Sequence, residues 1–347
     1  MSASPSLLAR LSQALFGGGP AEPEAERQLV DDMIEMIVET VEPRVRQVSG
    51  YNRKLQACTR STIAHLRRLG QGTLEPVLLT RAAWSGDPRL NAFFATANDV
   101  PACLGASREL RAFFDSPANA GVDEAFALLG MKKTERDVFA PKLEGDMLRQ
   151  DVAQVSVSFS GHRIVAPMGS EAETRIEIGQ RIIRRLAQVA LGRIIALDEK
   201  ASALQQHKAY LGARLRLARL ARDGVQGAFE EPGNTAEQIA ALERELNETV
   251  EDYIDTKGSI ATIEDHLGQI DAVFSRPGEH VALTHTPLRV SRMGIKLDAA
   301  SPDAANELTL AELAIADNFH GVIAIARCPR AEMPPKEDLV AKAARYL

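Results

Sequence analysis

The sequence predicts an α+β fold, predominantly helical, in which a long antiparallel coiled-coil hairpin is inserted into a small antiparallel β-sheet. Three observations carry this. Two heptad series, Ile183 to Ala218 and Ile239 to Phe274, occupy the middle of the chain. Strand-like stretches lie on both sides of them, at 152–167 and 281–327. The residues before, 26–150, show mostly helical spacing. The expected divisions are a tail at 1–25, a helical domain at 26–150, a sheet domain at 151–172 and 277–330, a hairpin arm at 173–276 and a C-terminal helix at 331–347.

Composition sets the frame. The 347 residues carry a net charge of −6, 45% apolar and 25% charged residues, which is ordinary for a folded water-facing protein and gives no overall attraction to nucleic acid. Cys58, Cys103 and Cys328 are isolated, with no CxxC and no Cys/His pair. That suggests neither a disulfide framework nor a zinc site, and points to the reducing cytoplasm. No apolar run reaches membrane-spanning length, and the N-terminus lacks the apolar core of a secretory signal.

In chain order, Leu7 to Phe16 reads as a short amphipathic helix with Leu8, Leu11, Leu15 and Phe16 on or near one face. It suits docking on a partner or on a membrane surface, although Arg10 alone offers little attraction to anionic lipid. Leu29 to Val41 is an acidic helix and Asn52 to Leu69 a basic one, expected to pair with opposite charges facing. Further helices are expected at Leu74 to Trp84, from Asp87-Pro88 through Phe94, at Ser107 to Phe114 and at Val122 to Leu129. Trp84, Phe93, Phe94, Phe113, Phe114 and Phe126 sit on these pieces and read as core. Residues 131–150 read as a solvated stretch. Residues 152–167 alternate with period two, with Ser160-Gly161 as a two-residue hairpin turn. After the arm, Val281 to Thr284, Leu288 to Met293, Gly294 to Leu297 and Val322 to Arg327 are strand candidates. Leu308 to Ala316 fits neither period cleanly. Lys336 to Tyr346 closes the chain as a helix.

The hairpin is the most specific prediction. In the first series the seam positions are Ile183, Ala187, Ala190, Ile194, Leu197, Ala201, Leu204, Lys208, Leu211, Leu215 and Ala218. Sustained heptad spacing of this length argues coiled coil. Facing positions of an antiparallel pair have numbers of constant sum. Ile183 with Phe274, Leu204 with Tyr253 and Ala218 with Ile239 all give 457, and every pair between them obeys it. Lys208 is placed opposite Thr249. Charge agrees, with +8 over Arg181 to Arg222 against −8 over Thr235 to Ser275. Opposite charge favours the two helices pairing with each other over each pairing with its own copy. At 1.5 Å per residue the arm spans roughly 55 Å. Gly224, Gly227, Pro232 and Gly233 mark its tip, and Thr235 with Gln238 reads as a capping box opening the second helix.

No phosphate loop, dinucleotide fingerprint, HExxH, GxSxG or kinase signature occurs, so no catalytic residue, cofactor or metal is expected. His162, His280, His285 and His320, with Asp317, would form an acid–base or metal site only if the sheet brought them together. The expected function is a non-enzymatic interaction or scaffold protein whose arm meets another protein, with self-association open as well. Candidate contacts are Val225 and Phe229 at the tip, Arg219 and Arg222 beside it, and Leu8, Leu11, Leu15 and Phe16 in the tail. The alternative is a peripheral membrane or nucleic-acid adaptor using the N-terminal helix or the basic face of the arm. An enzyme with a His/Asp site on the sheet comes third.

Overall fold

The computed structural model describes residues 23–70, 75–144, 147–223, 232–298, 301, 305–316 and 319–335. The expected N-terminal helix at 7–16, the tip at 224–231 and the C-terminal helix at 336–346 lie outside them. The fold is α+β and predominantly helical. Its helices are α1 (Pro23–Val41), α2 (Tyr51–Gly70), α3 (Pro88–Phe93), α4 (Asp99–Ala106), α5 (Arg108–Asp115), α6 (Glu171–Asp223), α7 (Pro232–Gly258) and α8 (Ile263–Phe274). Its strands are β1 (Val77–Leu78), β2 (Glu124–Glu144), β3 (Met147–Met168), β4 (Val281–Val290), β5 (Asn306–Ile315) and β6 (Phe319–Pro329). The hairpin of α6 to α8 is an insertion between β3 and β4, as the sequence implies.

The chain forms two compact units. The first holds Ile63–Ile182 together with the described residues of Met1–Leu29 and Pro277–Leu347; the second holds Val30–Thr62 and Ile183–Arg276. This differs from the expected division, because residues 30–62 group with the hairpin and residues 124–144 and 147–150 belong to the sheet.

In the first unit the strand order is β3-β2-β6-β5-β4, and β1 adds to β6 in parallel. One sheet face buries Ala125, Ala127, Leu129, Val322, Ala324, Ala326 and Leu310 under Leu90, Phe93, Phe94, Leu104 and Leu110 of α3 to α5. The other face carries Leu128, Leu283, Leu313, Ile323 and Ile325 opposite Leu66 and Leu69 of α2 and Ile178 and Ile182 of α6. Helices therefore cover both faces. This overturns the expected helix at Val122 to Leu129. A strand buried on both sides reads as an unbroken apolar run, and periodicity alone does not separate it from a helix.

Several other expectations change. Of the expected helix at Leu74 to Trp84, the described residues 75–84 form no α-helix. Within it Val77 and Leu78 pair with Ala326 and Arg327, the Leu79 N–H donates to the Arg327 carbonyl at 2.9 Å, and Ala83–Ser85 forms a single 3₁₀ turn. Pro76 and β-branched Val77 fit an extended edge better than a helix interior. Residues 131–144 and 147–150 are the far part of the β2–β3 ribbon, which leaves β6 after Met131 pairs with Val322. There Phe139 is 75% exposed. Ser160-Gly161 is not a turn. β3 runs through it, and Gly161, at φ 65°, marks a one-residue bulge where the register slips between Gly130 and Lys132. Asp151 and Ala166, also at positive φ, mark two more such slips. The Ala166 N–H is held by Glu109 Oε2 at 2.9 Å. Val281 to Met293 is mostly one strand, with Pro287 tolerated because β4 is a sheet edge. Residues 306–315, whose sequence left strand and short helix open, are strand.

In the second unit the acidic face of α1 does meet opposite or hydrogen-bonding partners, though not mainly α2 cations. Arg46, in the 3₁₀ turn after α1, donates to Glu35 and Glu39 at 3.1 and 2.7 Å, and Tyr51 donates to Glu35 at 2.5 Å. Those bonds, Tyr51 first, hold the Glu35 carboxyl below its ordinary range against the opposing effect of burial. Lys54 of α2 pairs instead with Glu264 of α8. The Thr62 hydroxyl donates to the Phe274 carbonyl at 2.8 Å, tying α2 to α8. Ile34 and Val38 of α1, Leu55 of α2, Ile270 and Phe274 of α8 and Leu186 of α6 are each fully enclosed.

All twenty-two seam residues that the sequence assigns are buried or half-buried. The second series is broken, however. α7 ends at Gly258, Ile260 stays in the seam at 6% exposure, and α8 starts afresh with Thr262 as its cap. Thr262 and Asp265 form a reciprocal capping box. The expected box at Thr235 does not open the helix, because α7 begins at Pro232.

Candidate interaction surface

Beyond residue 200 the hairpin is a two-helix structure with a thin core. Leu211, Leu215, Ile239 and Leu242 are buried together, with Ala218 and Leu246 packed against them. These are the pairs of constant sum, so the register read from the sequence is the register of the fold. The Lys208 ammonium does not rest on Thr249. It leans over the Tyr253 ring, 4.7 Å from the centroid, where the π face attracts a cation.

Ion pairs lace the sides. Lys257 meets Asp198 at 2.9 Å, Arg219 meets Glu243 at 2.6 Å, and His207 approaches Glu245 at 3.3 Å. All six side chains are substantially exposed, so water and salt screen these pairs and each contributes little. The hydrogen bond that the Lys257 ammonium donates to Asp198 raises its pKa above the ordinary value.

Of the expected contact residues, Val225, Phe229, Leu8, Leu11, Leu15 and Phe16 lie outside the described residues. Arg219 is engaged by Glu243, and Arg222 by its neighbour Asp223 at 2.9 Å. Neither presents a bare charge. What the structure adds is a set of large apolar side chains outside the filled seam. Leu217 is 67% exposed, Leu220 69%, Tyr210 57% and Ile254 60%. Their signal was present in the sequence as apolar residues at outer heptad positions, which are ordinarily polar.

The histidines do not assemble. His162 is half-buried; its Nε2 lies 2.8 Å from the Phe93 carbonyl and its ring stacks on Phe94 at 4.5 Å. Burial pushes its pKa down. His65 Nε2 lies 2.8 Å from the Val281 carbonyl. His285 pairs in register with Ala311, and exposed His320 with Ala314 near the Glu312 carboxylate that Lys133 engages. Asp317 lies outside the described residues. Among the described residues no group of three or more His, Cys, Asp and Glu side chains is placed to hold a metal ion.

The aromatic cluster is core. Phe93, Phe94 and Phe114 are buried, Trp84 and Phe113 pack against them, and the indole N–H of Trp84 donates to the Phe94 carbonyl at 2.8 Å. Phe126 is the exception, half-buried on the face of β2 that also carries Leu128. Between that face and the helices lies an apolar cavity of about 80 Å³, whose one charged lining residue, Arg175, is held by Glu171 at 2.6 Å. A substrate site would need several converging polar groups. Comparisons with protein-family models, with curated proteins and with solved structures find no match. No helix among the described residues is long and apolar enough to cross a membrane.

Proposed function

We propose that this chain is a non-enzymatic interaction or scaffold protein that uses the distal part of its coiled-coil hairpin as the contact element. One observation carries the reading. Leu217, Leu220 and Ile254 stand 60–69% exposed beside a seam that Leu211 and Leu215 already close, at 0% and 7% exposure. The hairpin gains nothing internally from these three residues. Covering one such side chain with a partner contributes about 1.5–3 kcal/mol. A stiff two-helix element bearing such residues suits capture of another protein. We place this work in the cytoplasm, where the free thiols of Cys58, Cys103 and Cys328 are at home.

The test compares tagged full-length chain with a Leu220→Asp/Ile254→Asp variant by affinity purification and identification of bound proteins. Both positions are exposed, so helical circular dichroism stays unchanged. The expected result is that proteins held by the wild type are absent from the variant. An identical set of bound proteins refutes the reading.

A further inference from the structure

The two flanks of the hairpin differ in chemistry. On α6, Arg193, Lys200, His207 and Arg214 recur every seven residues and form one row beside the seam. The contact of His207 with Glu245 puts this row on the flank of Glu245 and Asp252 of α7, again seven apart. One row farther out lie Tyr210 and Leu217 on α6, and Glu248 and Asp255 on α7. So this flank is basic and apolar along one helix and acidic along the other. The opposite flank, fixed by Asp198–Lys257 and Arg219–Glu243, carries no such separation. Lys200, Arg214, Glu248 and Asp255 are exposed, and no ion pair among the described residues engages them.

We propose that the basic–acidic flank is where a second copy of this chain docks, the two hairpins lying side by side with tips together as a four-helix bundle. Stacking one flank on its own copy allows two kinds of two-fold axis. An axis across the hairpin sets α6 on α6 and α7 on α7, like charge on like. An axis along the hairpin sets α6 of each copy on α7 of the other, antiparallel, with cations over carboxylates. Like-charge juxtaposition disfavours the first and leaves the second. In that arrangement Lys200 comes within about 3 Å, along the axis, of the level of the partner's Asp255, and Arg214 within about 7.5 Å of the level of the partner's Glu248, an offset its long side chain can span. Leu217 comes over the partner's Ala241, a small residue that leaves it room. The pairing is isologous, so it closes at two copies. From residue 193 to 217 the flank runs about 36 Å, and two helices are about 20 Å wide. That is about 700 Å² per copy, close to the area of a standard specific interface.

The proposal deepens the reading of the hairpin as a contact element and rests on it. The test is sedimentation equilibrium on the full chain at about 100 µM, above the micromolar dissociation constants such areas commonly support. Four samples are compared: wild type, Lys200→Glu/Arg214→Glu, Glu248→Lys/Asp255→Lys, and an equal mixture of the two variants. The expected result is a dimeric wild type, two monomeric variants with unchanged circular dichroism, and a dimeric mixture, because only the mixture restores every opposite-charge contact. Raising salt should also dissociate the wild-type dimer. A monomeric wild type, variants that dimerise alone, a mixture that stays monomeric or a salt-insensitive dimer each overturns the proposal. Leu220 and Ile254 lie off this flank, so their capture experiment stands or falls separately.

Discussion

Replacing Leu211 with Ala tests how the hairpin is held. Leu211 is fully buried, and its cluster contains only Leu211, Leu215, Ile239 and Leu242 with two flanking residues. A buried Leu→Ala change costs about 2–5 kcal/mol, the low end applying where neighbours can close on the cavity. Two helices with no third layer can close, so about 2–3 kcal/mol is expected. This cost falls on local opening of the distal hairpin, because that segment shares no core with the sheet. Two to three kcal/mol multiplies the opening constant roughly 30- to 150-fold. The measurement is native-state hydrogen exchange followed by mass spectrometry. Peptides covering 205–223 and 236–250 should lose protection by that factor, while those covering β4 and β6 keep theirs. Leu217→Ala, six residues away but 67% exposed, should shift stability by no more than about 0.5 kcal/mol. Equal effects from the two substitutions, or equal loss in the sheet peptides, would refute the closed-seam argument.

Five further predictions rest on single positions. Gly161, at φ 65°, has open space where a Cβ would stand, so Gly161→Ala should cost about 1–2 kcal/mol from backbone strain alone. At Gly294, φ is 77° and a Cβ would meet the Val157 carbonyl at 2.9 Å, so Gly294→Ala should lower the melting temperature more than Gly161→Ala. Thr262→Ala removes the cap of α8 and should cost about 1 kcal/mol, seen as faster exchange in its first turn. His162 has a lowered native pKa because of burial, so below about pH 6.5 the unfolded chain takes up a proton that the native state resists. Stability measured with urea should therefore fall on acidification more steeply in the wild type than in His162→Gln. Burial pushes the Cys58 thiol up to about 12, so iodoacetamide at neutral pH should leave Cys58 unmodified until the chain unfolds.

The hairpin was legible in the sequence because one physical rule is repeated along its whole length. Each seam residue is checked by its partner, so an isolated Ala or Lys does not hide the register. β2 was not legible for the opposite reason. Ala125, Ala127 and Leu129 face one helical layer and Leu128 the other, and this double covering erases the alternation that identifies a half-exposed strand. Gly161 gave a true signal with the wrong reading, since a turn and a bulge both use the left-handed conformation glycine tolerates. Of the candidate surface, the seam and the charge separation were readable. The outer residues Tyr210, Leu217, Leu220 and Ile254 were not singled out. A short apolar side chain on a helix is unremarked until its exposure is known.

The constant sum that sets the seam also fixes the order in which it can close. Ala218 and Ile239, near the tip, are about 20 residues apart along the chain, whereas Ile183 and Phe274 are about 90 apart. Forming the distant pair first costs about 1.3 kcal/mol more chain entropy than forming the near one, from the logarithmic dependence on loop length. Chain entropy therefore favours closure that starts at the distal pair and extends towards Ile183 and Phe274, each turn gained shortening the loop left for the next. Once Phe274 is seated, β3 and β4, the two edges of the sheet, are no longer separated by a free loop of more than a hundred residues.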